Sequence, residues 1–350
     1  MYQIPTLTVL GQNRSDLIRE ALRAFLVEDT STFLQLFVKQ QPVHADSART
    51  GWWLSMLQQV GLMTANSNGC WEAQHAVYPL GDILIVTDCW RYGGHDRVFP
   101  ITHENLCFIG LMRTPERGLA LDIGTGSGIF AIFIARKGLS VVGVDTNPRA
   151  LALAGFNAKL NNVESRIALV RGSLGSSFRD GVFDYICCNL PFVPVPPGVT
   201  TFEHSYGGPT GRAVLEQILP DVGNLLKPEG IFQMLVIDTG TAETPWLVKQ
   251  RQHYGWFHSS RIVVEYLDKP VPLSDWLENM RQTLNWQVSE EDWACWIDWL
   301  HRQGMTYAHY MVVTVERGQP PDMIVRDASK YAHQVYLLLK LLRRGSLEGF

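Results

Sequence analysis

The stretch LDIGTGSGIFAIFIA, residues 121–135, decides the fold. An apolar run of strand character reaches Asp122, passes through Gly124, Gly126 and Gly128, and continues as an apolar run with helical spacing. Glycine lets the backbone turn sharply and approach a ligand without a Cβ in the way. A helix that starts at such a turn offers unpaired N–H groups and a partial positive charge. A bare Gly-x-Gly-x-Gly turn also serves as a purely structural loop, so its neighbours must decide between the two uses.

Outward from this stretch the texture repeats. Strand-like runs (GLALDIG, LSVVGVD, RIALVRG, FDYICCN, GIFQMLVID, and the later SSRIVVEYL and YAHYMVVTVERG) are interleaved with the helical runs PRALALAGFNAKLN and one from about Gly211. That alternation predicts an α/β fold: a doubly wound, Rossmann-like, seven-stranded and mostly parallel sheet.

Two acids narrow the ligand. Asp145 ends the next strand, in VVGVDTNP, where a carboxylate suits the two hydroxyls of a ribose; the competing use is to cap the following helix. Asp122 precedes the glycines. A carboxylate there repels a pyrophosphate and suits a ligand with an ammonium group and no phosphate, such as S-adenosylmethionine (SAM). The spacing of Gly-Thr-Gly-Ser-Gly also brings the third glycine too early for a dinucleotide fingerprint, which disfavours a NAD-dependent dehydrogenase. Thr125 and Thr146 flank the same two turns.

CCNLPFVPVP, residues 187–196, leaves the FDYI strand through an asparagine, a proline-stiffened turn and an aromatic ring. Asn189 and the carbonyl of Leu190 can accept N–H bonds from a nitrogen nucleophile, Pro191 fixes the turn, and Phe192 can stack on a planar group or shield a cationic methyl. The competing use is a strand-ending Asn turn with a core phenylalanine.

Together these residues resemble the class I SAM-dependent methyltransferases. LDIGTGSG is similar to their first motif, Asp145 to their ribose acid, and NLPF to the N-P-P-Y/F motif of N-methyltransferases, with Leu190 in place of the first proline. The resemblance covers about residues 105–240 and is nearest to HemK-like protein-glutamine methyltransferases, which also carry a Gly-Gly-x-x-Gly element like Gly207, Gly208 and Gly211 in SYGGPTGRAV. It implies SAM as cofactor, with Asp122, Gly124, Thr125, Gly126, Gly128, Asp145, Thr146, Ser173, Leu174 and Asn189 around it. Ser173 and Leu174 stand where the family commonly has an acid for the adenine amine. It implies catalysis by Asn189, Leu190, Pro191 and Phe192. In the Pro-rich PVPPGVTTFEHSY, read as a mobile lid, Glu203, His204 and Tyr206 are candidate acceptor contacts. The expected reaction is methyl transfer to nitrogen of a small molecule (amine, amide or guanidine) or a peptide. The alternatives are a release-factor-type glutamine or an RNA base and, outside enzymes, a SAM-sensing DNA-binding regulator.

The bulk numbers prune that set. A net charge of −4 and the lack of a long Lys/Arg run argue against nucleic acid as a partner. No apolar run approaches the ~20 residues of a membrane helix. Six scattered cysteines form no C-x-x-C and no zinc-spaced set, so no metal site is expected, and the opening MYQIPTLTVLGQNRSD has no leader pattern; both point to the cytoplasm. Upstream, SDLIREALRAFLVED (with Ser15 as N-cap), TSTFLQLFVKQ and SARTGWWLSMLQQVGLM read as helices, followed by a hairpin around Pro79 and Gly81. The expected organisation is an N-terminal helical, winged-helix-like domain over 1–104, a methyltransferase domain over 105–320 with a helical Trp-rich insertion near 272–304, and a C-terminal helix within 321–350. Oligomeric state is not readable from the sequence.

Overall fold

The computed structural model describes residues 12–47, 51–173 and 178–344. The chain forms two compact units. One holds the described residues up to Leu106, Thr125–Gly172 and the described residues from Gln334; the other holds Cys107–Gly124 and Ser173–His333.

In the first unit the helix Gln12–Glu28 buries Ile18, Ala21, Leu22 and Phe25 completely, at the spacing of one helical face. It starts before Ser15, which is therefore an interior residue of the helix and is buried, not its cap. The Phe25 ring stacks on Trp53 from the helix Trp52–Gln59 at 3.8 Å. Between them, Thr30–Phe33 continues into a single π turn, Leu34–Val38. The short strands Val43–His44, Met63–Ala65 and Cys70–Ala73 form an antiparallel sheet with the last in the middle. The wing position after the third helix thus belongs to Met63–Ala73. The hairpin expected there, His75–Leu80 with Ile83–Asp88, is a separate two-stranded sheet turning at Gly81 (φ 64°).

That hairpin is bonded to the helix Pro148–Leu160. Asn157 accepts from Val86 N (2.9 Å) and donates to Val86 O and Ser127 O (both 2.8 Å). Asn161 accepts from Leu84 N (3.0 Å) and donates to Leu84 O (2.8 Å). The two amides stand in for a further strand, as buried backbone groups require. Arg149 adds a buried bidentate pair with Asp88, at 2.9 and 2.5 Å. In the same unit the strands Ser140–Asp145 and Ile167–Arg171 pair in parallel.

In the second unit, strands Leu119–Ile123, Phe183–Cys188 and Leu226–Gly240 are parallel neighbours. Tyr307–Glu316 runs antiparallel between Leu226–Gly240 and Arg261–Tyr266. All seven expected strands form. Two more were not expected: Val271–Pro272, paired with Tyr307–Ala308, and Asp322–Asp327, parallel to Arg261–Tyr266. The C-terminal helix follows as Ser329–Arg344. The Trp-rich insertion is the helix pair Leu273–Thr283 and Glu290–Arg302.

Candidate active site

In the second unit, Leu119–Ile123 and Phe183–Cys188 run in register, Asp122 beside Cys187 and Ile123 beside Cys188. Their C-terminal ends therefore release Gly124 and Asn189 side by side. Gly124 has φ 68°, and a Cβ on it would lie 3.0 Å from Leu190 Cδ2. Both the left-handed backbone and the space demand glycine. Asn189 is half-buried, and its amide makes no hydrogen bond among the described residues. Leu190 is buried, with Pro191 and Phe192 half-buried beside it. Asp122 is completely buried beneath the turn and accepts the Cys187 thiol at 3.6 Å. Burial, then the Asp122 charge, pushes that thiol well above the usual range. The Asp122 side chain has no exposed surface.

In the first unit, Gly126 (φ 55°) and Gly128 (φ 78°) complete the turn, and Gly128 caps the helix Ile129–Arg136. Thr125 is buried. Asp145 takes one backbone N–H on each oxygen: Gly126 N on Oδ2 and Asn147 N on Oδ1, both at 2.9 Å. Burial raises its carboxyl, and the N–H bonds from Asn147, Gly126 and Thr146 oppose that rise. The carboxylate keeps acceptor capacity beyond these bonds for a ligand hydroxyl. The cap of the helix Pro148–Leu160 is Asn147, whose side chain accepts from Arg149 N, so Asp145 is released from that duty. Thr146 and Ser173 are exposed, and Leu174 lies outside the described residues.

The Pro-rich segment, expected as a lid, is bonded at both ends to the glycine element or its neighbours. Val193 N donates to Ser205 O, Gly207 N to Val193 O, and Val195 N to Gly208 O. A Cβ on Gly211 would meet Phe192 O at 2.4 Å, and one on Gly207 would meet Phe192 C at 2.8 Å, so the backbone of the NLPF turn sits directly on this glycine element. Glu203 and Tyr206 are exposed, whereas His204 is half-buried and stacked on Phe202 at 5.3 Å. A polar cluster the sequence reading missed lies in this unit: Arg212 donates to Thr239 O (3.1 Å) over the Trp246 ring, near the fully buried Asp238. Asp238 accepts from Leu247 N and Thr239 N, and burial raises its carboxyl to about 6.

A family model described as methyltransferase small domain matches residues 106–243. The putative protein N5-glutamine methyltransferase of Methanocaldococcus jannaschii is 33% identical over 156 residues, which span 43% of this chain and 78% of that protein. The chain belongs to the HemK-like group of class I SAM-dependent methyltransferases. It is an N-methyltransferase, and SAM is its cofactor. The release factor glutamine methyltransferase of Caulobacter vibrioides is 25% identical over 236 residues, 63% of this chain and 71% of that protein. That of Geobacter sulfurreducens is 35% identical over 145 residues, and this chain spans half of its length. Among solved structures, M. jannaschii TYW2 in complex with AdoMet aligns at 14% identity and a TM-score of 0.42, over 70% of this methyltransferase and 87% of that chain. At that distance nothing about the site follows from it. Among the described residues no helix is long and apolar enough to cross a membrane, and no three His, Cys, Asp or Glu residues are grouped to hold a metal ion.

Proposed function

We propose that this methyltransferase methylates a carboxamide nitrogen, that of a glutamine side chain presented by a peptide or protein. The observation that carries the reading is the half-buried Asn189 amide with no partner among the described residues, released beside Gly124 at the ends of two parallel strands. The names of the relatives support it. The residues we assign to SAM are the left-handed glycines Gly124, Gly126 and Gly128, which open the backbone, the Asp145 carboxylate, which receives the ribose hydroxyls, and Thr125, Thr146 and Ser173.

When bound, SAM supplies an electrophilic methyl whose departure leaves a neutral thioether. What remains for the protein is aim. The lone pair of an amide nitrogen is delocalised into its carbonyl. Asn189 Oδ1 and Leu190 O accept the two N–H groups of the acceptor, draw the nitrogen toward tetrahedral geometry and stabilise the charge that develops on it, and one N–H proton is released to solvent once the nitrogen–methyl bond has formed. Pro191 holds the turn, and Phe192 covers the acceptor plane. Glu203, His204 and Tyr206 belong to the acceptor side. The catalytic module spans 105–320, with 1–104 as an N-terminal domain and a C-terminal helix after it, and six free cysteines suit a reducing cytoplasm. A small-molecule amide or amine is the second reading, favoured by Leu190 and by a Trp-rich insertion that lies beyond residue 243 of the family model.

The test is methyl transfer to peptides that carry a central glutamine, with the asparagine and glutamate analogues as controls, read by mass spectrometry. One added methyl on glutamine alone supports the reading. Transfer only to small amines overturns it in favour of the second.

A further inference from the structure

The helices Leu273–Thr283 and Glu290–Arg302 lie outside the region matched by the family model. Their buried Trp276, Trp293 and Trp296, with Trp286 between the helices, form one apolar cluster with Val193 and Val195, and Phe192 and Val199 pack against it. The insertion thus spends its apolar face on the residues that directly follow Asn189. One polar bond adds to this: Trp286 Nε1 donates to Thr201 Oγ1 at 3.3 Å. Phe192 is held twice, its backbone against Gly207 and Gly211 and its ring against the tryptophan cluster. Where Phe192 goes, the Leu190 carbonyl and the Asn189 amide must follow, because Pro191 leaves the turn little freedom.

We infer that the Trp-rich insertion is the positioning element of the acceptor turn, with Trp286 as a positioning residue that fixes Asn189–Phe192 through Thr201 and takes no part in donor binding. This rests on the reading of that turn as the acceptor site. The fold supplies the strand ends, and the insertion sets how rigidly the amide-accepting groups are aimed. A misplacement of about 1 Å in such groups costs roughly 10²-fold in rate.

Thr201→Val removes the bond without disturbing the core, Trp286→Phe removes it from the other side, and Thr201→Ser keeps it. The full chain is assayed in three ways: calorimetric SAM binding, acceptor kinetics on the glutamine peptide, and hydrogen exchange of the 189–206 segment. The expected result is about a tenfold loss in kcat/KM for the acceptor in Thr201→Val and in Trp286→Phe. The double variant should be no worse than the poorer single, and Thr201→Ser should behave as wild type. Exchange over 189–206 should rise severalfold, with SAM affinity within twofold of wild type. Wild-type exchange in both variants overturns the inference, and so does a parallel loss of SAM affinity. If exchange rises in the variants while the wild-type protein leaves the glutamine peptide unmethylated, the positioning role stands and the glutamine reading fails.

Discussion

Replacing Asn157 by leucine removes three hydrogen bonds and keeps the branched shape of the side chain. Asn157 is fully buried; it accepts from Val86 N at 2.9 Å and donates to Val86 O and Ser127 O at 2.8 Å. In the leucine variant three backbone groups lose this partner in a place water does not reach. At ~1–3 kcal/mol per stranded group the gross cost of three groups is roughly 3–9 kcal/mol. The added apolar burial returns about 1 kcal/mol. A net loss of about 2–8 kcal/mol is a large part of a typical total of 5–15 kcal/mol. In urea, with a slope of about 1–3 kcal/mol per molar, the midpoint should fall by about 1 M or more. Asn157→Asp sharpens the test. Its second oxygen would face the carbonyls of Val86 and Ser127, so ionisation is disfavoured in the fold and the folded pKa rises. The stability penalty then grows as pH climbs above about 3.9, the carboxyl range of the unfolded chain, and shrinks below it, where the protonated acid again donates one bond. A leucine variant with the wild-type midpoint would refute the idea that this side chain holds the hairpin and the glycine turn to the helix.

The other predictions concern the donor, the acceptor and pH. Asp145→Ala should weaken SAM binding roughly 10–100-fold, the worth of one to two hydrogen bonds to a charged group, whereas Asn189→Ala should leave calorimetric SAM affinity near wild type and lower kcat about 10²-fold. Equal loss of binding in both variants would assign Asn189 to the donor. Asp238, with a carboxyl raised from 3.8 to about 6, stays protonated in the fold after the unfolded chain has ionised, so it lowers stability as pH rises between those values. Asp238→Asn should therefore gain on wild type by about 2–3 kcal/mol between pH 4 and pH 7 in chemical denaturation, and a gap that does not change with pH would show that Asp238 is already ionised in the fold.

What was legible in the sequence was local. The glycine turn, Asp145 at a strand end and the Asn–Pro turn each depend on neighbours within a few residues, and their backbone angles follow from residue type. What escaped was held by distant partners. Asn157 and Asn161 meet Val86 and Leu84 across 71 and 77 positions. The available signal was two asparagines at i, i+4 on an otherwise apolar helix, where side-chain amides are costly unless they bond. Asp322–Asp327 was missed because an edge strand exposed on nearly every residue has no apolar alternation to read. The wing was misplaced because two hairpins follow the third helix in succession, and the longer, fully buried Ile83–Asp88, apolar over its first four residues, drew the assignment from the short Met63–Ala73.

The same contrast separates the two halves of the chemistry. A donor of fixed structure can be met by fixed, short-range devices, such as left-handed glycines and one carboxylate with its backbone bonds, and these survive as readable motifs. The acceptor turn is local only in its four letters. Its aim is set by glycines about twenty positions downstream of Phe192 and by tryptophans about a hundred positions away, through a core that forms only when the fold is complete. On the proposal above, substitutions at Trp276, Trp286, Trp293 or Trp296 change how the acceptor turn is aimed while NLPF itself stays constant.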